Sequence, residues 1–217
     1  MKGMFDRKFL IFSGISLVIT VGLVVMLYLY WDQPIVNWVD FKNFKRFMVL
    51  KAFTYIATAI KFLAALILVG LAIIRTWRSW NAFMVILLAA SLSAILGEAV
   101  VDALKIIFGR YWASTWVNHN PSLISDSAYG FHFFHVGLAY GSFPSGHTAI
   151  VFGAMTVILL KMPKWFPLCI ALVALQIIGL VGMNYHFLSD ILAGAYIGTM
   201  TALFTLKLLI LELQTTH

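Results

Sequence analysis

Hydrophobic positions in this chain come in long blocks separated by short polar links. Six blocks stand out, at roughly 9–30, 53–74, 82–104, 147–163, 166–184 and 188–210. A membrane-crossing helix needs about 20 mostly apolar residues. All six blocks come near that length, and the fourth is the shortest. Backbone polar groups in hydrocarbon must be satisfied within their own segment, so the blocks predict helices and not open strands. A membrane β-barrel would instead show alternating segments of about ten residues. The first block, FLIFSGISLVITVGLVVMLYLY, does not alternate. The pattern therefore predicts an all-α membrane protein with six transmembrane helices.

The polar links refine this picture. Lys2, Arg7 and Lys8 precede the first block, as in a secretory signal. That block is longer than the usual apolar core of about 7–15 residues and no small-residue cleavage site follows, so it reads as a retained helix. Between the first two blocks, residues 31–52 place Phe41, Phe44 and Met48 at helical spacing with Lys42, Lys45 and Arg46 beside them. Such a pattern predicts a helix lying in the membrane interface. The link between the third and fourth blocks is rich in aromatic residues, from Tyr111, Trp112 and Trp116 to Tyr129, Phe131 and Tyr140. Tyr and Trp rings favour the head-group level. No linker, tail or repeat divides residues 1–217, which read as one domain.

Composition agrees: 62% of residues are hydrophobic, against about 45–50% in a soluble domain. The net charge of +7 could suggest nucleic acid, but the basic residues sit at the ends of apolar blocks. Anionic lipid head groups and topology account for them better. Lysine and arginine bias favours both termini inside the cell. Lys2, Arg7, Lys8, Arg75, Arg78, Lys161 and Lys164 then lie on the cytoplasmic side. The single cysteine, Cys169, lies inside the fifth block, so no intramolecular disulfide forms.

With that orientation, three separated polar stretches meet on the outer face. The first, EAVVDALKIIFGRYW at 98–112, puts Lys105 and Arg110 near the end of a span. They read either as cations anchoring the helix end or as a phosphate clamp. Asp102, three residues before Lys105, is placed to hold it. Carboxylates such as Glu98 and Asp102 are costly inside a span and face an interior or a partner. The second stretch, GSFPSGHTAI at 141–150, starts the fourth block. Ser145 can cap the helix or donate its hydroxyl, Gly146 allows a close backbone approach, and the first amides form an anion site beside His147. The third, MNYHFLSDILAG at 183–194, sets His186 and Asp190 four residues apart on one helical face. A carboxylate on one ring nitrogen fixes the tautomer and leaves the other nitrogen free.

Together the stretches resemble the type-2 phosphatidic acid phosphatase superfamily of membrane phosphatases. Its pattern is a lysine and an arginine, then PSGH, then an arginine, a histidine and an aspartate four residues on. Pro144 to His147 spell PSGH, HFLSD at 186–190 fits the last motif, and Lys105 fits the first. The resemblance spans about residues 98–198. Two positions depart from it. Trp112 and Ala113 stand where the first motif has arginine and proline, and Leu180 stands six residues before His186 where the last motif has arginine. Arg110 is the substitute for the first-motif arginine, and Asn184, His132 or His135 are candidates to complete the cradle.

The resemblance implies that His186 attacks phosphorus, oriented by Asp190, and that His147 protonates the leaving oxygen. Lys105, Arg110, Ser145 and Gly146 would bind the phosphate. It implies no cofactor and no metal. The expected function is hydrolysis of a phosphate or pyrophosphate head group of a membrane lipid: a polyprenyl pyrophosphate, lipid A, phosphatidylglycerophosphate or phosphatidic acid. The expected partners are that lipid and the bilayer, with no nucleic acid. Gly194 and Gly198 form a GxxxG that serves helix packing within the chain or between copies in a homo-oligomer. The expected location is a bacterial inner membrane with the site on the periplasmic face. Two alternatives stand beside this reading: a lipid-to-lipid phosphotransferase, and a catalytically silent lipid-binding carrier or scaffold.

Overall fold

The computed structural model of the chain describes residues 6–116 and 118–215; Lys2, used above for orientation, lies outside them. The described residues are helices and loops with a few isolated bridges. Eight helices follow in order: α1 (Arg7–Tyr30), α2 (Asp32–Phe41), α3 (Met48–Arg75), α4 (Ala82–Phe108), α5 (Leu123–Asp126), α6 (Gly146–Lys161), α7 (Phe166–Gly182) and α8 (Leu188–Thr215). Five helical segments, from α1, α3, α4, α7 and α8, are long and apolar enough to cross a membrane. The protein is an integral membrane protein.

The fourth apolar block becomes α6, whose 16 residues reach only about 24 Å at 1.5 Å per residue. It is therefore not among the five helices long enough to cross a membrane, and it sits instead at the centre of the bundle. α6 packs along both α4 and α8 and also meets α3 and α7, and most of its first three turns are buried. The bundle is built around it. Close packing there depends on missing side chains. A Cβ on Gly194 would stand 2.3 Å from the carbonyl oxygen of Ser145, and one on Gly198 would stand 2.4 Å from that of Ala149. The GxxxG of α8 thus lets α8 lie directly on α6 within the chain.

The link between the first two spans differs from the expected interfacial helix over Phe41, Phe44 and Met48. Asn43 adopts a left-handed φ of 52°, which breaks the segment into α2, a short turn at Phe44–Arg46 and the start of α3. Helix α2 has one face packed on the protein and one exposed. Val36 and Val39 are buried, Val36 packs with Ala113 and Phe187, and Phe41 is 83% exposed. The aromatic link after α4 folds back over the same end of the bundle, with Arg110 bridging to Phe131 and Gly141. The ends of α1 and α4 and the starts of α3, α6 and α8 therefore meet around one site.

Candidate active site

Asp190 organises the site. It lies in the first turn of α8 and is completely buried. Its Oδ2 accepts from the Ser142 hydroxyl at 2.6 Å, from the Phe187 amide at 3.1 Å and from His186 Nδ1 at 3.4 Å. Its Oδ1 accepts from Arg110 Nη1 at 2.5 Å. With Nδ1–H directed at a carboxylate, His186 has Nε2 free. The backbone carbonyl of Asp190 also accepts from the Ser145 amide at 3.0 Å, which ties the PSGH turn to α8.

Ser145 caps α6. Its hydroxyl accepts from the amide and the hydroxyl of Thr148, and the side chain is fully buried. The next amides, of Gly146 and His147, have no carbonyl one turn back inside the helix. Both residues lie in the wall of a cavity of about 990 Å³ together with His186 and Lys105. The two imidazole rings are 5.8 Å apart, centre to centre, and Trp112 packs against His186 at 5.2 Å. Lys105 Nζ is held by Asp102 at 3.0 Å and would lie 3.6 Å from a Cβ placed on Gly146. A cation thus stands beside the first turn of α6, where the helix end already favours an anion.

Arg110 does not share this cavity. It is fully buried, and its guanidinium is clamped by Asp190, by Asp32 at 2.8 Å, by the Ser189 hydroxyl at 2.6 Å and by Tyr129 at 3.2 Å. The rings of Phe187, Phe131, Tyr28 and Tyr129 surround it at 4.1 to 5.3 Å. Burial alone would pull its pKa down; Asp190 and Asp32 more than reverse that, and it is raised. Tyr129 is pushed up as well, chiefly by burial. Arg110 is therefore a permanent buried cation behind the site. The expectation that it joins the phosphate cradle does not fit this position. Ser145, used as a cap, is likewise absent from the cavity wall.

The other candidates separate in the same way. Leu180 is fully buried, so no cation enters from its position. Asn184 is spent on the Val36 carbonyl at 3.1 Å. His135 lines the cavity, while the His132 ring meets Tyr111 edge-on, 4.3 Å centre to centre. Asp32 was not singled out from the sequence, although it closes the Arg110 clamp and accepts from both the amide and the hydroxyl of Ser189. The only signal was an acid immediately after the first span, far from every motif. Ser142 was visible within GSFPSGH but stands outside the PSGH pattern. Among the described residues no group of three His, Cys, Asp or Glu side chains is arranged to hold a metal ion.

Fold and site together define a helical membrane protein with two histidines and a lysine lining one cavity and a buried carboxylate behind one of the histidines. The PAP2 superfamily model matches residues 86–211, more than half of the chain, and the protein belongs to that family. Membership places it among phosphatases that act on phosphate esters. No curated protein and no solved structure matches it.

Proposed function

We propose that the protein is a metal-independent lipid phosphatase working through a phosphohistidine. The observation that carries the proposal is the facing of His147 and His186 at 5.8 Å across the cavity, with Asp190 on the far nitrogen of His186 and Lys105 at the start of α6. The phosphate of a bilayer lipid sits on the Gly146 and His147 amides beside Lys105. His186 Nε2 bonds to phosphorus as the P–O bond to the lipid breaks, and His147 gives its proton to the departing oxygen. Water then attacks the phosphohistidine while His147 takes the proton back. Inorganic phosphate leaves and His186 is again neutral. Splitting the displacement in two replaces one hard step by two easier ones.

The substrate is a phosphate or pyrophosphate lipid, and the site belongs on the outer face of a bacterial inner membrane. Lysine and arginine bias supports that orientation. The test is phosphate release from a panel of lipid phosphates by purified protein, with His186→Ala and His147→Ala beside it. Both substitutions should reduce release to background, and chelator should leave the wild-type rate unchanged, since no step needs a metal. Wild-type rates in both variants would end the enzymatic reading. The scaffold reading draws on one observation, the absence of Arg110 and of any cation at Leu180 from the cavity. Binding of lipid phosphate without turnover would favour it.

A further inference from the structure

Phosphoryl transfer requires neutralisation of charge on three equatorial oxygens. Of the cations expected around the phosphate, Arg110 is sealed behind Asp190 and position 180 is a buried leucine. The cations that line the cavity are Lys51, Lys61 and Lys105. Lys61 is the unusual one. It lies in α3, about halfway along a 28-residue helix and outside the family-matched region. An ionisable residue at that depth is costly and faces a cavity or a partner. Lys61 does both: its side chain is half exposed, lines the cavity, and meets Glu98 of α4 at 2.8 Å. Helical side chains lean toward their own N-terminus, and for α3 that is the end at which the site is built. Lys61 and Lys105 line the same cavity as Gly146 and His147, so both face the space a phosphate would fill.

We propose that Lys61 is the second phosphate-neutralising cation of this site, held ready by Glu98 when no phosphate is bound. Lys61 and Lys105 then approach the anion from two helices, each steadied by its own carboxylate, Glu98 and Asp102. The ligand class is the phosphate monoanion or dianion of an amphiphile. This inference rests on the phosphatase reading for its turnover and on the cavity alone for its binding.

The two roles open to the pair make opposite predictions. If Lys61 and Glu98 only support each other, removing either leaves an unpaired charge, and removing both restores the protein. If Lys61 serves the phosphate, Glu98 competes for it. The experiment measures binding of inorganic phosphate, read from the fluorescence of Trp112 and Trp116 in the cavity wall. It compares the full-length wild type, Lys61→Gln, Glu98→Gln and the double variant, with release from a short-chain phosphatidic acid measured in parallel. The inference expects Lys61→Gln to weaken phosphate tenfold or more, Glu98→Gln to bind as tightly as wild type or tighter, and the double variant to stay as weak as Lys61→Gln. Recovery of the double variant to wild-type binding would overturn it, as would unchanged binding in Lys61→Gln or no phosphate binding by the wild type. Turnover by the wild type alongside any of these leaves the phosphatase reading standing while Lys61 is dismissed. The expected binding pattern with no turnover keeps Lys61 and ends the phosphatase reading.

Discussion

Arg110 and His186 hold opposite oxygens of one carboxylate. Arg110 Nη1 lies 2.5 Å from Asp190 Oδ1, and His186 Nδ1 lies 3.4 Å from Oδ2. Asp190 is thus neutralised from behind before it meets the imidazole. In the proposed mechanism its service to His186 is orientation and choice of tautomer more than attraction of a second proton. The chain of contacts runs on through Arg110 to Asp32 on α2, so the carboxylate beside His186 is tied to a helix outside the family-matched region.

Removing Arg110 should therefore be among the most damaging single changes. Arg110→Gln leaves Asp32 and Asp190 as buried carboxylates without a cation. Breaking a buried ion pair from one side costs about 3–5 kcal/mol. The expected outcome is a large fall in melting temperature in detergent or failure to accumulate. Arg110→Lys keeps the charge but cannot make the forked contacts to two carboxylates and a hydroxyl. It should fold with a lower melting temperature and reduced turnover. A fully stable Arg110→Gln would show that the clamp is not holding this end of the bundle.

Asp190→Asn keeps the shape and changes the chemistry. An amide nitrogen facing Nδ1 favours the tautomer that places the proton on Nε2, the nitrogen required for attack. In a serine protease, aspartate-to-asparagine replacement with the wrong histidine tautomer costs about 10⁴-fold, and a loss on the order of 10³-fold or more is expected here. The nitrogen chemical shifts of His186 report the tautomer independently of turnover. An unchanged tautomer with unchanged activity would remove Asp190 from the mechanism.

Why some of this was legible in the sequence and some not follows from particular residues. The spans were readable because hydrocarbon demands continuous apolar helices, and the block edges at 82, 166 and 188 coincide with the starts of α4, α7 and α8. The Asp102–Lys105 pair was readable because both residues lie on α4 at helical spacing, whereas His186 precedes α8 and meets Asp190 through the turn that starts the helix, not across one helical face. The placement of Arg110 was not legible because its number along the chain says nothing about which side of Asp190 it faces. That depends on the loop turning back at Gly109, whose φ of 49° sits against the His132 carbonyl. Asp32 and Lys61 were harder still. Their partners are 78 and 37 residues away, and no periodic pattern connects such positions.

Gly194→Ala tests the seating of α8 on α6. The new methyl would fall 2.3 Å from the Ser145 carbonyl oxygen, a backbone atom, so a helix must move. Overpacking of this kind costs about 1–3 kcal/mol. The shift would also separate His186 and Asp190 from the PSGH turn. A lower melting temperature together with reduced turnover is the expected pair of results. Full activity would mean that the two helices slide without disturbing the histidines.

Gly146→Ala isolates the anion position from the fold. At this glycine an added Cβ meets only Lys105 Nζ at 3.6 Å and Val101 Cγ1 at 3.8 Å, ordinary contact distances, and φ is not in the left-handed region. The bundle should accept the methyl group. Replacing glycine by alanine inside a helix gains up to about 1 kcal/mol, and somewhat less in a first turn, so the melting temperature should hold or rise. The methyl group nevertheless lies between the Lys105 ammonium and the first turn of α6, where a phosphate oxygen would rest. Affinity for a lipid phosphate should fall about tenfold, seen as a raised KM with a smaller change in kcat. Stability and binding then move in opposite directions, which general damage to the protein would not produce. If KM stays at the wild-type value while the melting temperature rises, the phosphate does not lie between Lys105 and the start of α6.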